Sequence, residues 1–282
     1  MTFSIVARSA DGRAHGVAVA SRFLGVGAAV PAASAEVGAV ATQSYANLAY
    51  RPQALSLLST GVTAAGAVRA LIAADDGPVA LRQVGVVGAA GDGATFTGAE
   101  CVPWAGGTAG DGFAIQGNML AGPQVVEAME VAWRASSSAP GSAADDRLAH
   151  RLLAALRAGD LAGGDRRGRQ SAALYVVAKG MGYGGTSDVW VDLRVDDHAD
   201  PVAELGRLLD LHTLYFERPD PATLLPLTGA VAEEVRELLE KAGHGQADLD
   251  VALADWAGIE NLEERLIPGA IDPLVLAQLR GR

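Results

Sequence analysis

Thr2-Phe3-Ser4-Ile5-Val6-Ala7-Arg8 is the stretch on which the reading of this chain turns. Phe3, Ile5 and Ala7 alternate with Ser4 and Arg8, the period-two pattern of a strand. A turn at Asp11-Gly12 sends the chain back through His15-Gly-Val-Ala-Val-Ala20, a largely buried second strand that ends at Ser21-Arg22. Thr2 thereby stands at the rigid end of a hairpin. Its small side chain makes the preceding Met1 a target for removal, which frees the threonine amine. Such a residue carries its own nucleophile and its own base. An α-amine titrates at roughly 7.7–8.0, so it can take the hydroxyl proton without a histidine. From position alone, an ordinary first strand with threonine in second place is the competing reading.

Composition narrows the field. The 282 residues make one large domain, or a large one and a small one. A formal charge of −11 argues against nucleic acid and anionic membranes as partners, since both call for a basic footprint. Cys101 is the sole cysteine, which leaves no intrachain disulfide and no zinc cage, as expected of a cytoplasmic protein. Neither a basic-then-apolar leader nor a run of 18 apolar residues occurs, so no signal peptide or membrane span is expected.

In order, Gly25–Val30 and Val37–Gln43 read as two more short strands, giving four before any helix. Helices are expected from Pro52 to Ser59 and after a Thr63 cap. Strands return at 83–87, 94–97 and 112–116. Helices follow at 123–134 and 145–158, joined across the loop 136–142. Strands at 171–177 and 189–194 and a helix at 201–216 complete the pattern. This is not the βαβ alternation of a parallel sheet. It suits an α+β fold of two antiparallel sheets face to face, with helix pairs on both outer faces. The prolines of Arg218-Pro-Asp-Pro221 mark a boundary between a domain over 1–217 and a small helical module over 222–282. Leu205, Leu208, Leu209, Leu211 and Leu214 give helix 201–216 more apolar width than one core face requires, which suggests a homodimer.

A strand opening on Thr2, a second strand Gly16-Val-Ala-Val-Ala20 and the pair Ser21-Arg22 resemble the start of N-terminal-nucleophile hydrolases of the proteasome β-subunit branch. More closely, the chain resembles the bacterial domain of unknown function 1028 family, described as Ntn-hydrolase-like. The resemblance rests on Thr2–Ala7, Gly38–Ser44, Gln116-Gly-Asn118 with Ala121-Gly-Pro123, Gly163–Ala173 and Val191–His198. It implies a four-layer αββα sandwich. The likeness to N-terminal-nucleophile hydrolases also implies that Gly164–Ser171 brings Asp165 and small residues such as Ser171 beside the nucleophile. Ala254-Asp-Trp256 and Glu260–Glu264 resemble a short C-terminal module named for peptidoglycan binding. One departure is clear. Proteasome-type enzymes place a lysine after the second strand, but here Val30–Ala35 has none, and the only lysines are Lys179 and Lys241.

Several residues are candidates for the site. Asp165, Arg166, Arg167 and Arg169 concentrate cations in an acidic chain. One or two guanidiniums could grip a substrate carboxylate while Asp165 bonds the nucleophile's amine; a solvated loop of paired charges is the alternative. Gln43, Ser44 and Asn47 close a buried strand, where small polar groups could serve an oxyanion, and Gln116 and Asn118 are similar in kind. The acidic run from Asp192 to Asp200 reads better as structure, with Asp192 and Arg194 paired on one strand face. Cys101 has no histidine neighbour, and the five histidines lack metal spacing. Neither a metal nor a cofactor is expected. The favoured function is an amidohydrolase acting on a small carboxylate-bearing amide or peptide through Thr2. The alternative is a non-catalytic scaffold that binds a small ligand or a cell-wall fragment.

Overall fold

Alternation along the first strand sets the layers. In the structure, a computed structural model that describes residues 2–136 and 147–281, β1 runs Thr2–Arg8 and is buried almost throughout. Phe3, Ile5 and Ala7 project to one side, while Val6 projects to the other and joins a separate core cluster. β2 (Ala14–Ser21) pairs antiparallel with β1, Phe3 opposite Ala20.

The chain then makes a helical turn α1 (Val26–Ala29) and the strand β3 (Pro31–Ser34). The strand expected over 25–30 is thus corrected. Gly25 sits at φ +63 and turns the chain, and Gly27 packs so close to Ala173 that an added Cβ would meet its methyl at 2.6 Å. Next come β4 (Gly38–Ser44), α2 (Tyr50–Ser59), α3 (Ala64–Ala74), β5 (Arg82–Gly88) and β6 (Gly93–Thr97). The hydroxyl of Thr63 accepts from Gly66 N at 3.1 Å, the cap its position predicts. β7 (Gly106–Gly110), β8 (Phe113–Asn118), α4 (Gln124–Ala135), α5 (Leu148–Leu161), β9 (Ser171–Ala178), β10 (Val189–Val195) and α6 (Pro201–Phe216) follow. Met1, most of the expected 136–142 loop and Asp145 lie outside the described residues.

One antiparallel sheet has the order β10-β9-β2-β1-β8-β7 and the other β3-β4-β5-β6. Val6, Val17 and Val19 of the first pack with Ala39, Ala41 and Val87 of the second, so the sheets lie face to face. The outer face of the larger sheet buries Phe3, Ile5, Ile115 and Leu174 against Met129 of α4 and Leu152 and Leu156 of α5. The outer face of the smaller sheet buries Val40, Val84 and Val86 against Ala54 and Leu58 of α2 and Ala67 and Leu71 of α3. The layers are helix, sheet, sheet, helix.

Between the sheets, one end is not apolar. Ser4 donates to Gln43 Oε1 at 2.7 Å and receives from Gln116 Nε2 at 2.6 Å; Gln43 Nε2 and Asn118 Nδ2 both donate to Gln83 Oε1 at 2.8 Å. All five side chains are buried, and Gln83 extends the chain of bonds to Gly117 O at 2.7 Å and Thr97 Oγ1 at 2.9 Å. Gly85 makes room for this network: a Cβ there would lie 1.9 Å from Gln116 Oε1. Gln116 Oε1 has no partner among the described residues, but the bonded amides of the network would each lose a buried partner if one sheet slipped on the other, and this fixes the register.

Two compact units are distinguished by their contacts, Met1–Leu209 and Asp210–Arg282. The second contains β11 (Leu225–Pro226), α7 (Gly229–Lys241), α8 (Leu249–Glu260), β12 (Ala270–Ile271) and α9 (Pro273–Arg280). Its core gathers Val235, Leu239, Leu253, Trp256, Ile271 and Leu276. A buried ion pair joins Arg265 to Asp272, which also caps α9 through Leu274 N at 2.7 Å. Along α6, Leu205 and Leu209 belong to the core of the first unit and Leu214 to that of the second. Much of the leucine width that reads as an interface in the sequence is therefore taken up within the chain. Among the described residues, no helix is long and apolar enough to cross a membrane.

Candidate active site

Antiparallel pairing brings distant residues to one end of the sandwich. Thr2 opens β1 opposite Asn118, which closes β8; Ser21 closes β2 opposite Ser171, which opens β9. On the facing sheet Gln43 and Ser44 close β4, with Ser44 opposite Arg82 at the start of β5. Gln43 Nε2 reaches across the layers to Thr2 O at 3.3 Å.

At the centre is a pair of hydroxyls. Thr2 Oγ1 and Ser21 Oγ lie 3.1 Å apart, and Thr2 is only 5% exposed. The carboxylate of Asp165, also buried, accepts Arg22 N at 2.9 Å, so one residue of backbone separates it from Ser21. Its remaining capacity goes to Arg167: the backbone N at 3.0 Å, Nε at 3.2 Å and Nη2 at 3.0 Å. Asp165 is therefore a brace for the Ser21-Arg22 turn, with its charge met by a guanidinium. Ser171 Oγ also braces, donating to Phe23 O and receiving from Val26 N at 3.1 Å. The 164–166 segment is stitched to the end of β8 by Ala121 N to Gly164 O at 3.0 Å and Arg166 N to Met119 O at 3.2 Å.

The candidate residues thus divide. Thr2, Asp165 and Ser171 share one end of the sandwich, together with Asn118 and, from the facing sheet, Gln43. Gln43, Gln116 and Asn118 are committed by their side chains to the inter-sheet network, so they hold the strand ends in place. Asn47 turns inward on its own loop, its Oδ1 accepting Ala49 N at 3.1 Å. Arg169 pairs with Asp160 of α5 at 2.8 Å and Arg167 with Asp165, the paired-loop alternative for those two. Arg166 is exposed and makes no ion pair among the described residues. Asp192 and Arg194 pair at 2.8 Å, as strand alternation predicts. Ser4, Ser21, Gln83 and Thr97 stand outside the sequence candidates. The signal for three of them was a polar residue in an apolar strand run: Ser4 in Phe-Ser-Ile-Val, Gln83 in Gln-Val-Gly-Val-Val and Thr97 at the end of Ala-Thr-Phe-Thr. No cluster of three metal-ligating side chains occurs among the described residues.

The family whose model matches residues 2–205 is described as a family of unknown function, DUF1028. The chain belongs to that family. A crystal structure of a DUF1028 protein from Silicibacter pomeroyi is similar to it, with 29% identity, a TM-score of 0.65, and coverage of 82% of this chain and 88% of that one. Residues 215–279 match a second model, described as "Putative peptidoglycan binding domain". No curated protein matches the chain. The DUF1028 match spans all the residues gathered at the Thr2 end. The second match falls within the unit that begins at Asp210.

Proposed function

We propose that the DUF1028 portion is an amidohydrolase of the N-terminal-nucleophile type, with Thr2 freed by loss of Met1. The observation that carries this reading is the Thr2 Oγ1–Ser21 Oγ pair at 3.1 Å, held where four strands of one sheet begin or end. Thr2 Oγ1 attacks the carbonyl carbon of a small carboxylate-bearing amide or peptide. Its proton passes to the α-amine and then to the departing amine nitrogen as the C–N bond breaks. Water adds to the resulting ester, releases the acid and returns the proton to Thr2. Ser21 orients the attacking oxygen, while Asp165 and Ser171 act through the backbone as positioning residues. With no lysine in this part of the sandwich, the amine is the only base the reading supplies. Intact-mass measurement of the purified chain is expected to show loss of Met1. Amide hydrolysis by protein that retains the methionine would overturn the mechanism.

A second reading is favoured by the match over 215–279: a scaffold in which that module binds a cell-wall fragment. A pull-down on soluble muropeptides is expected to retain the full chain and to lose it when residues 222–282 are removed. Unchanged retention after truncation, or none by the full chain, removes the module's role.

A further inference from the structure

The loops at the Thr2 end carry features that the proposed chemistry does not use. Phe23, Tyr45, Leu48 and Val102 are large, apolar and exposed. Phe23 lies two residues past Ser21, and Tyr45 and Leu48 follow Ser44. Val102 lies on the segment bonded to the end of β8, its carbonyl accepting Met119 N at 2.8 Å. Phe23, Tyr45 and Val102 are thus tied by their backbones to the loops that leave the strand ends around Thr2.

Phe23 and Tyr45 rise from fixed backbone. Phe23 O is held by Ser171 Oγ. Tyr45 N donates to Leu81 O at 3.1 Å, and Tyr45 O accepts Arg82 Nη1 at 2.5 Å. The same guanidinium lies 5.3 Å from the Tyr45 ring centroid, yet the tyrosine is 62% exposed. A ring held from behind by a buried arginine presents its other face to solvent at little further entropic cost, which is how preorganised recognition surfaces gain affinity. Two exposed cations stand beside this rim. Arg22 is fixed by Asp165 through its backbone N and by Arg167 O through Nη1 at 3.1 Å. Arg166 is tied by its backbone to Met119, with no ion pair among the described residues. Apolar side chains next to exposed guanidiniums, in a chain of net charge −11, complement a ligand that is itself apolar at one point and anionic at another.

We infer that this rim recognises a carboxylate carried next to an apolar or aromatic side chain, as in an N-acylated aromatic amino acid or the last residue of a short peptide. Tyr45 and Phe23 cover the side chain, and Arg166 with Arg22 meets the carboxylate. The assignment deepens the hydrolase reading and rests on it only for what happens after binding.

The test separates the two. Calorimetric titration of the full chain carrying Thr2→Ala reads binding without turnover, with N-acetylphenylalanine, N-acetylglycine and N-acetylphenylalanine amide as probes. N-acetylphenylalanine should bind about 10-fold or more tighter than either of the others, from the buried ring and from the charge-assisted pair respectively. Adding Tyr45→Ala should erase the preference for the ring and leave that for the carboxylate; adding Arg166→Ala and Arg22→Ala should do the reverse. Equal affinity for the three probes, or binding of none, overturns the inference. If the preferences hold but the unsubstituted chain leaves N-acetylphenylalanine intact, the recognition stands and the hydrolase reading falls.

Discussion

Asp75→Ala should destabilise the unit that ends at Leu209 by about 3–5 kcal/mol, the usual cost of leaving a buried charge without its partner. Asp75 follows α3 as its C-cap, and its side chain is 2% exposed against 8% for that of Arg82. One carboxylate oxygen accepts Arg82 Nε at 2.8 Å and the Tyr50 hydroxyl at 2.6 Å; the other accepts Gly77 N at 2.9 Å. The Arg82 guanidinium and then the Tyr50 hydroxyl hold this carboxyl well below the usual range, while burial and then Asp75 push the Tyr50 phenol up. Truncation strands a guanidinium and a phenol together. The double replacement Asp75→Leu with Arg82→Met removes both charges and should recover much of the loss, since a buried pair is often no better than well-packed apolar side chains. Denaturant unfolding of the single and double variants measures both. A single variant that unfolds with the parent protein would mean that water reaches Arg82. Because Arg82 also grips Tyr45, the single variant should loosen the rim as well as the fold.

Much of the architecture is legible in the chain because local chemistry and tertiary packing agree. The Asp11-Gly12 turn, the Thr63 cap and the leucine spacing of α6 each specify their element from a few neighbouring residues. Disagreement arises where the determinants are distant. Gly25–Val30 has the composition of a strand, but a left-handed glycine and a close approach to β9 make it a helical turn. β7, Gly106-Gly-Thr-Ala-Gly110, offers almost no side chains from which to read a period, and its pairing to β8 alone makes it a strand. Partners are harder still. Gln43 and Gln116 look like candidates for ligand binding one at a time, because nothing local says that two sheets will close over them. Asp165 reads as a partner of the nucleophile's amine, whereas its bonds to Arg22 and Arg167 depend on β9 lying beside β2. A sequence shows that a polar residue sits in an apolar run; only the register shows whether it faces a ligand or another amide.

At the opposite end of the same strands, His15 on β2 is fully buried opposite Arg8. Neither ring nitrogen has a hydrogen-bond partner among the described residues, and the nearby Arg8 Nε has none either. Burial, and secondly the Arg8 charge, pull the imidazole down to about 4 from an ordinary 6.5. Above pH 6.5 the ring is neutral in both states and folding is indifferent to it. As the pH falls from 6.5 towards 4, the unfolded chain takes up a proton that the folded one refuses, so stability is lost across that window. At pH 4.5 the loss attributable to this one group should be about 2.5 kcal/mol relative to pH 7. His15→Leu removes the titration and keeps an apolar side chain of similar bulk between the sheets. The unfolding free energy should therefore fall less between pH 7 and pH 4.5 in the variant, and at pH 7 the variant should be no less stable, since it replaces an imidazole with no hydrogen-bond partner among the described residues. Parallel pH slopes for the two proteins would show that His15 is solvated or paired in the folded state, and that acid acts through the carboxylates instead.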